Sequence, residues 1–229
     1  MAFCKPAALS ILLLVSAAAE ADAVIDRIVA ESAKSAPVAF ERITRAEVRA
    51  DPQKEPALVV DRYQPKAGTA GNWTVVSVDG RKPTPKDLET HAKNNSSPAP
   101  GFHNLHRMMA SPPARVTEKD GKTIYLWTSL PKGTVITPGG DISSHLSLET
   151  TVEEVGGKPL TSEVRIFAAK PFRVKVVASI NRFNVVSHYK PGANGTPFLV
   201  SQTAETDVSA PMGLGGKRKS IATFKPLGD

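Results

Sequence analysis

The sequence predicts a mainly β fold: an antiparallel curved sheet or unclosed β-barrel, with two short helices covering its concave face. Most segments alternate apolar and polar residues with period two and are rich in β-branched side chains. Turn pairs bearing glycine, above all Asp120-Gly121, separate those segments. Two short stretches with helical spacing interrupt the series between residues 84 and 109.

The start of the chain sets the expected compartment. Lys5 gives a positive start, residues 9–15 (LSILLLV) are apolar, and small residues follow. Ala17-Ala18-Ala19 and Ala21-Asp22-Ala23 both fit an A-x-A cleavage pattern. The apolar stretch is too short for a bilayer, which needs about 20 residues. Residues 1–23 therefore read as a cleaved secretory signal, cut after Ala19 or Ala23, and 24–229 as a single β-rich domain. Removing 23 of 229 residues leaves 206, enough to hide roughly 70% of the unfolded surface. Cys4, the one cysteine, leaves with the signal. It also precedes the apolar stretch, so no disulfide, thiol nucleophile or cysteine lipid anchor is expected. Export without disulfides favours a bacterial periplasm. The signal takes one lysine from 29 basic residues and two acids from 22, leaving 28 against 20, a net +8. Outside the cell that charge points to anionic head groups or glycans rather than nucleic acid.

Taken in chain order, residues 38–49 (VAFERITRAEVR) sort Val38, Phe40 and their alternate neighbours between two faces, as a strand does. Residues 57–65 and 72–79 repeat the pattern. Residues 84–92 are the first helix: Thr84 caps free N–H groups, Pro85 suits the first turn, and Asp87 closes a capping-box-like pair. Leu88, His91 and Ala92 then share one face. Phe102, Leu105 and Met109 recur at i, i+3 and i+7 in a second helix, which Pro112-Pro113 ends. In the hairpin that follows, Asp120-Gly121 supplies the positive φ angles of a type I′ turn. That register pairs Val116 with Tyr125 and Ala114 with Trp127 on one apolar face. A second hairpin joins 145–155 to 160–169 through Gly156-Gly157-Lys158-Pro159, with Leu146, Leu148 and Val152 on its apolar face. A third runs from 180–189 through Asn194-Gly195 to 196–207. Residues 220–225 make the last strand, after a loop holding Gly213, Gly215 and Gly216. One sheet with helices on one face is the economical arrangement.

The run WTVVSVDGRKPTPKDLE (73–89) resembles a motif of uncharacterised exported proteins of Gram-negative bacteria. The strand-helix-strand order is similar to that of the outer-membrane lipoprotein carrier and sorting superfamily. The resemblance implies an unclosed antiparallel barrel, with short helices as a lid over an apolar concavity that shields acyl chains in transit. The run covers under a tenth of the chain, and no functional residue of the carriers maps to a position here. The motif also has a local explanation: Asp79-Gly80 turns out of the strand, and Pro83 to Asp87 starts the helix.

Catalytic patterns are weak. His103-x-x-His106, with His91 as a third ligand, has a spacing that holds zinc, but no H-E-x-x-H pattern is present. Two polar histidines on the outer face of a short helix are preferred, and no metal or cofactor is expected. No G-x-S-x-G elbow occurs. Glu149 and Glu153 fall on the solvent side of their strand rather than forming a glycosidase pair. Gly215-Gly216-Lys217-Arg218 resembles a phosphate loop only superficially.

The apolar helix residues leave two readings open. Phe102, Leu105, Met108 and Met109 line a lipid cavity, since methionine adapts to varied ligands, or they plug the core of a curved sheet. The same alternatives hold for Trp73, Tyr125 and Trp127. With Leu88, Trp73, Phe102, Leu105, Met109, Tyr125 and Trp127 form the candidate cavity lining. Arg107, Lys217, Arg218 and Lys219 are the candidate head-group contacts. The expected function is a periplasmic, non-enzymatic carrier or binding protein for a lipid or acylated protein, in contact with an anionic membrane surface. The alternatives are an envelope assembly partner that binds through a sheet edge, and a hydrolase.

Overall fold

A computed structural model describes residues 23–66, 71–94, 99–137, 139–174, 178–192, 195–211 and 215–228. The period-two patterning resolves into an antiparallel sheet of eleven strands among these residues. The first three are β1 (Phe40–Val48), β2 (Leu58–Gln64) and β3 (Asn72–Val78); β4 (Arg115–Lys119) and β5 (Lys122–Trp127) form the Asp120-Gly121 hairpin. A small separate pair, β6 (Ile136–Thr137) and β7 (Gly140–Asp141), precedes β8 (Ser147–Val155) and β9 (Lys158–Phe167). The long strands β11 (Ala178–Pro191), β12 (Pro197–Ser209) and β13 (Gly216–Pro226) follow the short β10 (Phe172–Val174). The order is β3-β2-β1-β13-β12-β11-β9-β8-β5-β4, with β10 beside β11. The two ends of this path do not pair, so the barrel is unclosed, as the sequence predicts.

Register explains which residues meet. Cross-strand partners share a face, so one row runs Tyr125, Thr150, Val164, Ser187, Gln202, Ala222 and Thr44 across seven strands. On the same face Phe40 lies opposite Tyr63 and stacks on it at 5.3 Å, with Phe224 edge-on at 5.3 Å. The helices pack on this side. Phe102, Leu105 and Met109 join Tyr125, Trp127 and Phe40 in one buried cluster.

Three α-helices lie among the described residues where two helices are expected. The missed one, α1, is helical over residues 23–34. Ile25, Ile28 and Ser32 recur at i, i+3 and i+7 and are buried, so this face is pressed into the core. Ser32 fastens it: its Oγ donates to the Phe102 carbonyl at 2.7 Å and accepts from the His106 N–H at 2.8 Å. α2 (Pro85–Asn94) starts as expected. Asp87 accepts from the Thr84 N–H at 2.7 Å, and the Thr84 hydroxyl oxygen accepts from the Asp87 N–H at 3.3 Å. The second expected helix is a 3-10 turn, Phe102–Asn104, running into α3 (Leu105–Met108). No helix among the described residues is long and apolar enough to cross a membrane.

Several local expectations need correction. Val116 does pair with Tyr125, but β4 is an edge strand exposed along its whole length, so the pair makes no buried apolar face. Leu88 is 47% exposed, because α2 turns His91 rather than Leu88 toward the sheet. Gly156 and Gly157 alone turn the second hairpin, both at positive φ, and Lys158 and Pro159 already belong to β9. The Lys217-Arg218-Lys219 run lies on β13 rather than in a turn, since that strand begins at Gly216. The expected leader up to residue 22, Asn194 and the loop residues 212–214 lie outside the described residues.

The docking of α1 is testable through the buried Ser32. Ser32→Ala leaves the Phe102 carbonyl and the His106 N–H without their partner, so urea denaturation should show a loss of roughly 1–3 kcal/mol. An unchanged midpoint would mean that α1 is not held there.

Candidate functional site

The helix-covered face of β1, β2 and β3 carries aromatic residues at one end and charges beside them. Alternation puts Phe40, Arg42 and Thr44 of β1 beside Tyr63, Asp61 and Val59 of β2 respectively. Asp61 is therefore forced onto the inner face between two apolar neighbours, where it is only 1% exposed. Arg42 answers it across the strand pair with a bidentate fork, Nε to Oδ1 at 3.0 Å and a second nitrogen to Oδ2 at 2.6 Å. His91, on α2, places Nε2 2.8 Å from the same Oδ2. A carboxylate only accepts, so His91 Nε2 carries the proton of this bond. Burial pushes the Asp61 pKa up, but the hydrogen bonds from His91 and Arg42, with the Arg42 and His91 charges, outweigh it and hold the group below the usual carboxylate value.

Trp73 of β3 closes the cluster. Arg42 stacks over its ring at 4.3 Å, and the His91 ring meets it edge-on at 6.0 Å. The indole Nε1 is buried and unpartnered among the described residues. α2 is thus pinned to the sheet at its C-terminal half by His91. At its N-terminal end the Asp87 carboxylate takes Arg81 at 2.7 Å as well as Thr84, which holds its pKa far below the usual range.

Between these two anchors the helix and sheet enclose a groove of about 530 Å³, within the 300–1,000 Å³ typical of ligand sites. Val59, Val75 and Val78 make an apolar floor. Arg42, Asp61 and His91 form one wall, and Lys54, Arg81 and Lys86 stand at the rim. Thr44 and Thr90 add hydroxyl groups. A second concavity of about 490 Å³ lies between the 35–38 linker and the β11–β12 hairpin, with Val38, Pro197 and Phe198 in its walls and no charged lining residue.

The structure gathers most of the expected lining residues, but as a packed cluster. Phe102, Leu105, Met109, Tyr125 and Trp127 are each at most 4% exposed, and Trp127 Nε1 donates to the Ser111 carbonyl at 2.7 Å. Trp73 packs against them, with Met108. Leu88 lies apart on the outer side of α2. The expected head-group residues do not meet the groove beside α2. Arg107 is exposed, Arg218 pairs with Glu55 at 2.7 Å, and Lys219 pairs with Glu47 at 2.8 Å. The three histidines weighed for zinc go separate ways. His91 serves Asp61, and His106 meets Ser32 of α1. His103 is partly buried, with its pKa lowered by burial and then by His106. Both are half-buried, and α1 reaches His106 through Ser32. No cluster of three metal-ligating side chains occurs among the described residues.

Arg42, Asp61 and the groove lysines were not among the sequence candidates. Asp61 carried a signal: it interrupts the apolar face that Val59 and Tyr63 set in β2. Compared with known protein families, characterised proteins and solved structures, the chain matches none.

The ion cluster predicts both a stability and a pH effect. Removing Asp61 takes away the buried carboxylate that both Arg42 and His91 hold, so Asp61→Ala should cost about 3–5 kcal/mol. The folded pKa lies below the unfolded one. The contribution is therefore present above about pH 4, the ordinary carboxylate value, and is lost as pH falls through the lower folded value. Urea melts at several pH values should show the gap between the native protein and Asp61→Asn closing below about pH 4. A gap independent of pH would refute a charged Asp61.

Proposed function

We propose that the protein is a non-enzymatic binding or carrier protein for an amphiphile, either a lipid or an acylated polypeptide, held in the groove between α2 and the β1–β3 part of the sheet. The observation that carries this reading is the combination of an apolar valine floor with a cationic rim in one concavity. An acyl chain laid on Val59, Val75 and Val78 leaves water at roughly 0.8 kcal/mol per buried methylene, while a polar head stays at the rim.

Two further lines support it. The open antiparallel sheet with helices on one face is what the resemblance to the lipoprotein carrier and sorting superfamily implies. The secretory signal expected in residues 1–23 would put the chain in an aqueous compartment between membranes, where acyl chains need shielding. Asp61 and His91 resemble the base-orienting part of a catalytic triad, but here Asp61 also binds Arg42 and the pair fastens a helix. That favours a structural role for the pair over hydrolysis.

Val59→Glu tests the reading, because Val59 is half-buried on the floor and a carboxylate there repels a chain. Titration with a fluorescent fatty acid should show saturable binding to the native protein and at least about tenfold weaker binding to the variant. Phe198→Glu, in the second concavity, should bind as the native protein does. Loss in Phe198→Glu with normal binding in Val59→Glu would put the ligand in the wrong place here.

A further inference from the structure

We infer that the groove beside α2 selects ligands with an anionic phosphate head, read by Lys54 and Lys86; this rests on the amphiphile reading above. The selection follows from which charges in the groove are already occupied. Two carboxylates line it, and both are committed. Asp61 is held by Arg42 and His91, and Asp87 by Arg81 and by Thr84, through its hydroxyl and its N–H. Neither presents an open negative charge to the groove. A choline or ethanolamine head would therefore find no uncommitted carboxylate among the described lining residues.

The cations are placed differently. Arg42 and Arg81 are matched by those carboxylates, so the walls are close to neutral. Lys86 lines the groove and makes no ion pair among the described residues. Among the described residues Lys54 pairs only with Asp51, which is not in the lining, and the pair is solvent-exposed with Lys54 at 82% exposure. Such a pair exchanges readily for a ligand anion. Two exposed ammonium groups thus line a groove with an apolar floor, with the Thr44 and Thr90 hydroxyls in the same lining. A phosphate offers several acceptor oxygens to such a set and keeps its charge at neutral pH. The N-terminus of α2 adds no second anion site, because Asp87 already occupies it.

The test is calorimetric titration of the full chain with dihexanoyl phosphatidic acid, dihexanoyl phosphatidylcholine, dihexanoylglycerol and glycerol 3-phosphate. The native protein should bind the phosphatidic acid at least about tenfold more tightly than the phosphatidylcholine, the size of one hydrogen bond to a charged group. Lys54→Glu combined with Lys86→Glu should remove that preference and leave dihexanoylglycerol binding unchanged; both side chains are exposed, so the variant keeps its fold. Equal binding of all three lipids would overturn the phosphate inference and leave the amphiphile reading standing. Binding of glycerol 3-phosphate alone, lost in the double variant, would support the phosphate site and overturn the amphiphile reading. No binding of any of the four would overturn both.

Discussion

A carboxylate shut away from water has to be neutralised by its neighbours, and Asp61 is in that position. Leaving it unpaired would cost several kcal/mol, so the strands and the helix around it are constrained to deliver partners. β1 delivers Arg42 from the directly opposite position of the ladder. α2 delivers His91, and with it the whole helix is held against the sheet. Trp73 then fits because Arg42 offers its flat guanidinium to the indole face. The position of α2, and the space beneath it, follow from this one buried charge.

That space exists because the two ends of α2 are anchored by different means. His91 draws the C-terminal half onto the sheet, while Asp87, Thr84 and Arg81 fix the N-terminal end in its turn. Between them no large side chain of α2 reaches down, since Leu88 faces outward. Val59 stays half-buried there, with the buried Val75 and Val78 beside it at the floor. Elsewhere on the same face the opposite holds: α1 and the 102–109 segment fill the sheet with Ile28, Phe102, Leu105 and Met109. One face of one sheet is thus a sealed core over most of its width and a groove at the β1–β3 end.

How far this could be read from the chain follows from how local each signal is. The Asp120-Gly121 turn and the Thr84–Asp87 capping box depend on neighbouring residues, and both form where the sequence puts them, while the second hairpin turns on Gly156-Gly157 alone within the four residues expected. Ile25, Ile28 and Ser32 carry the spacing of α1, but they adjoin the leader-like stretch, so the helix escapes notice. The burial of Phe102 and Met109 is periodic in the sequence, whereas their role as core depends on α1 arriving from the other side. Asp61 stands out as a charge on an apolar face, yet its partners lie 19 and 30 residues away. Only the strand register and the rotation of α2 identify them. The ion pairs of the basic run are hidden from the sequence for the same reason: Glu55 and Glu47, which hold Arg218 and Lys219, are supplied by the β1 side of the molecule.

An amphiphile held in the groove beneath α2 is directly detectable. Native mass spectrometry of the chain, purified without detergent after incubation with a total lipid extract of a bacterial envelope, addresses it directly. Organic extraction of the bound fraction then identifies the ligand. The account predicts a discrete one-to-one adduct whose extracted mass is that of a lipid. A spectrum showing bare polypeptide alone after that incubation would contradict it.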